Sequence, residues 1–146
     1  MILISHRGNI NGRNELRENS IEYISEALNS GFDVEIDVWY KDDEWFLGHN
    51  GPENYVVLDF LKNDKLWCHA KNIEALNRML KNNINCFWHQ EDDVTLTSNG
   101  YIWTYPGKEL TEKSIVVMPE KYLEKWWKYD FKDLSGICSD HIGSYE

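Results

Sequence analysis

ILISHRG, residues 2–8, and VEIDV, residues 34–38, decide how this chain is read. The first is a short apolar run that ends in His6, Arg7 and Gly8, the pattern of a buried strand with polar side chains at its carboxyl end. The second alternates, so as a strand it projects Glu35 and Asp37 from one face and Val34, Ile36 and Val38 from the other. Two like charges side by side are unfavourable unless something positive lies between them. A divalent cation is the simplest candidate, because hard cations take carboxylate oxygens. The same alternation fits a half-exposed edge strand with both carboxylates in water, and spacing alone does not choose.

Length and charge narrow the alternatives. At 146 residues the chain fits one domain, residues 1–146, with room for a hydrophobic core. A formal net charge of −10 argues against nucleic acid or an anionic membrane as the main partner, since those surfaces need concentrated Lys and Arg. It leaves room for a small phosphate ester, for which one local cation and a few basic side chains suffice. Cys68, Cys86 and Cys138 are odd in number and lack a CxxC pair, so they read as buried free thiols in a reducing compartment. There is no run of membrane-spanning length and no basic-then-apolar leader pattern, so a cytoplasmic location is expected. Nothing in the sequence sets the oligomeric state.

Strands alternate with helices along the chain. After the polar loop NINGRNELREN, Asn19 is placed to cap a helix with Glu22 in capping-box position, and Ile21, Ile24 and Leu28 mark its apolar face up to Gly31. FDVEIDVW is a strand, and a Lys41-Asp42-Asp43 turn leads into WFLGHN, a short strand ending at His49 and Asn50. VVLDFLKN reads as a short helix and LWCHA as a strand. A helix capped by Asn72 follows, with Ile73, Leu76, Met79 and Leu80 as its apolar face. NCFWH, YIWTY, SIVVM and LSGICS complete the strands; VTLTS is ambiguous, and KYLEKWWKY is a helical pattern packing Leu123, Trp126 and Trp127. This order predicts parallel β/α organisation. Polar residues gather where strands end, at His6, His49, His69, His89 and Asp140, as in folds that place chemistry at that end. The chain is far below the ~250 residues of a full β/α barrel, so the expected fold is α/β, a compact or trimmed TIM-type barrel.

Several side chains suit phosphoryl chemistry. The fork of Arg7 matches phosphate oxygens, and Lys71 offers a point charge. His6 and His49 can divide the roles of base and acid. His69 and Lys71 share a face of their strand; a packed histidine bonded to a carbonyl competes with a ligand role for His69. His89 and His141 read as structural or exposed. Trp103 can stack an alcohol moiety or serve the core.

HRG at 6–8, ENS at 18–20 ahead of a helix, EID at 35–37 and GHN at 48–50 together resemble the glycerophosphodiester phosphodiesterase family, within the phospholipase C-like phosphodiesterase superfamily. The resemblance implies a β/α barrel that hydrolyses glycerophosphodiesters with a divalent metal. It implies His6 and His49 as the catalytic pair, Arg7 as a phosphate contact and Glu35 and Asp37 as metal carboxylates. In CHAK, Lys71 matches the family lysine, while His69 stands where the family has glutamate. YIWTY resembles a late tryptophan strand, and LSGICSD resembles the closing strand with its aspartate. The match is ordered over residues 2–50, looser around 66–71 and thin elsewhere. Arg17 and Asn50 depart from the family's proline and aspartate.

The expectation is a metal-dependent phosphodiesterase with a small-molecule phosphodiester as substrate, Glu35, Asp37 and His69 as ligands, and His6, His49, Arg7 and Lys71 as catalytic groups. Mg²⁺ or Ca²⁺ is the first expectation for the ion, with Mn²⁺ and Zn²⁺ as alternatives because an imidazole ligates transition metals. The alternatives are a sphingomyelinase D-like lyase that stops at a cyclic phosphate, and a non-catalytic β/α domain that binds phosphate or metal. Removing either carboxylate charge is expected to be neutral or slightly stabilising without metal.

Overall fold

In the computed structural model, which describes residues 1–122, 124 and 130–146, the sheet is built around β2 (Asp33–Lys41). Val34, Ile36 and Val38 are fully buried on one face, and Glu35 and Asp37 are buried on the other. The edge-strand reading of this run is therefore excluded. β1 (Ile2–His6) runs parallel to β2 with His6 opposite Glu35. β5 (Leu66–Ala70) runs parallel on the other side with His69 opposite Asp37. Val38 pairs with Ala70 of β5 and also with Leu47 of the antiparallel strand β3 (Glu44–Leu47). Thus β3 takes up the β1 side of β2 just beyond the point where β1 stops.

The parallel order continues from β5 to β6 (Cys86–Phe87), and from β1 through β10 (Gly136–Ser139) and β9 (Ser114–Val117) to β8 (Ile102–Thr104). Two antiparallel additions, β4 (Asn54–Val56) on β3 and β7 (Val94–Leu96) on β8, complete the sheet. The sheet curls so that β6 and β8 approach without forming a ladder. Ser98 spans the gap: its backbone N–H donates to the Cys86 carbonyl at 2.8 Å, and its Oγ accepts from the Cys86 N–H at 2.8 Å. Ile4, Trp67, Phe87, Trp103, Ile115 and Cys138, one from each of six strands, pack together on the concave side. The result is a curled, open sheet with three α-helices among the described residues, a trimmed barrel-like α/β arrangement.

On the outer face, α1 (Ile21–Asn29) and α3 (Ile73–Lys81) cover β2, β5 and β6 through Ile24, Ala27, Ala75 and Met79. α2 (Leu58–Leu61) is a single turn preceded by β4, where a longer helix was expected from residue 56. Ile73 and Leu80, expected on the apolar face of α3, are exposed, and Ala75 takes the buried position. Ser20, not Asn19, caps α1 by accepting from the Tyr23 N–H. Cys68, Cys86 and Cys138 are buried free thiols. The stretch expected to pack Leu123, Trp126 and Trp127 lies outside the described residues. Among the described residues no helix is long and apolar enough to cross a membrane.

β1 ends abruptly because Arg7 and Gly8 both take positive φ, 58° and 98°. A Cβ on Gly8 would stand 2.8 Å from Cδ1 of the Tyr23 ring, so both the backbone and the packing require glycine there. Gly8→Ala is expected to cost about 1–3 kcal/mol and to lower the thermal midpoint in a melt followed by circular dichroism; an unchanged midpoint would show that the turn relaxes freely.

Candidate active site

Because the strands run parallel, the carboxyl ends of β1, β2, β5 and β10 open on the same side of the sheet. His6 and Arg7 leave β1 there, Glu35 and Asp37 sit on β2, His69 and Lys71 end β5, and Asp140 follows β10. His49 arrives from β3. All of these except Asp37, which lies fully buried beneath, line one cavity of about 640 Å³, within the usual size range of small-molecule sites. The remaining wall includes His89, Trp103 and Tyr105. Trp103 serves two purposes, since it is 4% exposed and stacks on Phe87 at 4.6 Å while still bordering the cavity. His141 is exposed and lies outside it.

Arg7 is the hub. Its Nε lies 3.0 Å from Asp37 Oδ2, its Nη1 donates to Glu18 Oε2 at 3.2 Å, and its Nη2 lies 2.6 Å from His49 Nδ1. A guanidinium cannot accept, so His49 Nδ1 accepts and its proton resides on Nε2. Gly48 makes this approach practicable: its N–H donates to the Asp37 carbonyl at 3.1 Å, and a Cβ there would collide with the Gly51 carbonyl oxygen.

His6 is held the other way round. Its Nδ1 lies 2.7 Å from Asp140 Oδ1, and its Nε2 lies 3.7 Å from Glu35 Oε2. An ionised carboxylate only accepts, so Nδ1 donates and Nε2 faces the site. His69 is fixed by a third bond, its Nε2 donating to the His89 carbonyl at 2.9 Å. Its Nδ1 is left 3.2 Å from Asp37 Oδ1 and 3.9 Å from Glu35 Oε1.

The two carboxylates titrate apart. Burial first, then the Asp37 charge, pushes Glu35 well above the usual carboxylate range, and Arg7 and Lys71 only partly offset this. Burial would also raise Asp37, but the Arg7 guanidinium against Oδ2 and its other polar neighbours outweigh it and hold Asp37 well below that range. Burial lowers His89 from the ordinary imidazole value.

The residues fit a metal ion. Glu35, Asp37 and His69 each offer a ligand atom, all within 4.8 Å of one another. Glu35 Oε2 and Asp37 Oδ1 are buried without a hydrogen-bond partner. Orphaned carboxylate oxygens in a dry site are costly, and a cation between them and the imidazole nitrogen removes that cost. The chain thus carries a buried Glu/Asp/His cluster capable of binding a divalent cation.

Several members of the site were not assigned a role by sequence reasoning. Asn19 donates to Asp37 Oδ2 at 2.9 Å and accepts from the Asp37 N–H at 3.0 Å, which its left-handed backbone (φ 59°) permits. Asn9 donates both to Glu18 Oε1 (3.0 Å) and to Asp140 Oδ1 (2.9 Å). Asn19 does fall within the ENS run, but no spacing rule says that residue 19 reaches residue 37 or that residue 140 reaches residue 6.

No protein-family model, curated protein or solved structure matches this chain.

Two outcomes follow from the charge balance. Without metal, Asp37→Asn breaks paired contacts and is expected to cost about 1–3 kcal/mol, whereas Glu35→Gln removes a poorly compensated charge and is expected to be neutral or stabilising. This divides the symmetric expectation from sequence, and urea denaturation in chelator tests it: equal losses in both variants would contradict the asymmetry. Asp140 is the pH-sensitive part. Burial opposes its ionisation, but His6 and Asn9 outweigh burial and hold its carboxyl below the usual value. A depressed acid contributes stability that is present above its unfolded pKa of ~3.9 and is lost as pH falls through the lower folded value. Asp140→Asn should therefore flatten the acid limb of a stability-against-pH curve below about pH 4, and an unchanged limb would assign acid sensitivity elsewhere.

Proposed function

We propose that the chain is a metal-dependent phosphodiesterase of the glycerophosphodiester phosphodiesterase type, on a trimmed TIM-type barrel, acting on a small phosphodiester. The observation that carries this reading is the opposite wiring of two histidines on one cavity, beside a buried carboxylate pair. His6 keeps Nε2 toward the cavity with Nδ1 on Asp140, and His49 keeps its proton on Nε2 with Nδ1 on Arg7. One is arranged to accept a proton and the other to donate.

In this reading His6 Nε2 takes the proton from the attacking water, and Asp140 stabilises the imidazolium that forms, as a buried carboxylate does for a catalytic histidine. His49, half-exposed at the cavity mouth, donates its Nε2 proton to the leaving oxygen. A divalent cation held by Glu35, Asp37 and His69 supplies charge neutralisation for the nonbridging phosphate oxygens. Arg7 is committed to Asp37, Glu18 and His49, so it positions these groups and has only its remaining N–H donors for a phosphate oxygen. Lys71, with no ion pair among the described residues, is the freer cation for charge building on the phosphoryl group.

Hydrolysis of bis(p-nitrophenyl) phosphate and glycerophosphocholine with Mg²⁺, Ca²⁺, Mn²⁺ and Zn²⁺, followed by phosphorus NMR, tests the proposal. His6→Ala and His49→Ala should each lower turnover by ~10²–10⁴-fold with unchanged circular dichroism. A monoester product supports hydrolysis, while a cyclic phosphate would show that the substrate's own hydroxyl attacks. Near-normal turnover in either variant would refute the two-histidine assignment. Absence of turnover with every ion, alongside affinity for a phosphorylated ligand, would make this a binding domain.

A further inference from the structure

We infer that the cation site is selective for a transition-metal ion such as Mn²⁺, Co²⁺ or Zn²⁺ over Mg²⁺ and Ca²⁺, with His69 Nδ1 as a direct ligand; this rests on the metal half of the reading above and not on the diesterase chemistry. The resembled family has an oxygen ligand at this position, so the inference concerns what is particular to this chain.

The argument begins with the His89 backbone carbonyl. It accepts from His69 Nε2 at 2.9 Å, and a carbonyl can only accept, so the proton is on Nε2. The neutral ring then has its lone pair on Nδ1. That atom lies 3.2 Å from Asp37 Oδ1 and 3.9 Å from Glu35 Oε1, so three ligand-capable atoms converge on one point. Asp37 Oδ1, though only 3.2 Å away, receives no hydrogen bond, so it too is open to a cation. Both carboxylate side chains are more than nine-tenths buried, and each has an oxygen without a partner.

The ring cannot readily turn away. It stacks on Phe87 with centroids 5.2 Å apart and planes 11° from parallel, and the strand register fixes its backbone opposite Asp37. A ligating histidine whose other N–H is held by a backbone carbonyl is a recurring metal-site arrangement, and the carbonyl makes the ligating nitrogen more basic. The donor set is therefore two carboxylates and one oriented imidazole. Mg²⁺ and Ca²⁺ favour all-oxygen shells, whereas imidazole nitrogen favours the later divalent ions.

Calorimetric titration of the chelator-stripped full chain with Mg²⁺, Ca²⁺, Mn²⁺ and Zn²⁺ tests this, with visible absorption for Co²⁺. One site is expected, binding Mn²⁺, Co²⁺ and Zn²⁺ about tenfold or more tighter than Mg²⁺ or Ca²⁺ and lost in Glu35→Gln. His69→Glu should narrow that ratio by about tenfold. Mg²⁺ or Ca²⁺ binding that matches Mn²⁺, or an unchanged ratio in His69→Glu, overturns the inference. Should His69→Glu not fold, pulsed electron paramagnetic resonance of the Mn²⁺-loaded native chain decides: a directly bound histidine nitrogen supports the inference and its absence overturns it. No binding of any ion overturns this and the metal half of the proposed function together. Selective binding by a chain that hydrolyses no diester overturns the catalytic reading alone.

Discussion

Two carboxylates two residues apart, on a strand from which water is excluded, repel each other, and the surroundings of β2 are organised by that repulsion. Glu35 and Asp37 are 3% and 0% exposed, so neither side chain lies in bulk solvent. The protein resolves the conflict unequally. Asp37 collects Arg7 and Asn19 and keeps its charge, while Glu35 has weaker compensation and resists ionisation. A dry cluster with unpartnered oxygens is poor design for stability alone, and it becomes intelligible as a seat for a cation.

Around that seat, proton positions are set by groups that cannot exchange roles. Asp140 and the His89 carbonyl only accept, and Arg7 only donates. Consequently His6, His69 and His49 are each oriented by a partner whose hydrogen-bonding sense is fixed, and each leaves one chosen nitrogen for the cavity. The loop from Asn9 to Asn19 ties these partners together, since Asn9 bridges Glu18 and Asp140 while Asn19 holds Asp37. Hydrogen-bonded side-chain networks of this kind rigidify a site more than their separate bonds suggest.

The fold reaches this with little material. Among the described residues only two α-helices exceed one turn, and Ser98, in the turn between β7 and β8, bonds to β6 where a ladder is missing. The large rings of Trp67, Phe87 and Trp103 fill the concave interior that a longer chain would enclose with more strands and helices. β3, replacing β1 as the neighbour of β2 beyond Glu35, brings His49 onto Arg7. A short hairpin thereby supplies a cavity residue that a full strand-helix unit would otherwise have to deliver.

Local periodicity determined much of this in advance. Alternation over 33–41 put the carboxylates on one face, LWCHA coincides with β5, and Asn72 caps α3, because side-chain period and caps depend on near neighbours. The residues expected to carry chemistry stood at strand ends for the same reason. What the sequence could not determine was which distant groups they meet. Asn19 looked like a helix cap and instead holds Asp37; Ile73 and Leu80 looked buried and are not; Arg7 looked free for phosphate and is largely committed within the protein. Residue 140 reaches residue 6 only because β10 returns beside β1. Burial of Glu35 and the tautomer of His69 likewise depend on curling of the sheet, which brings side chains, backbone carbonyls and excluded water together across the whole length of the chain.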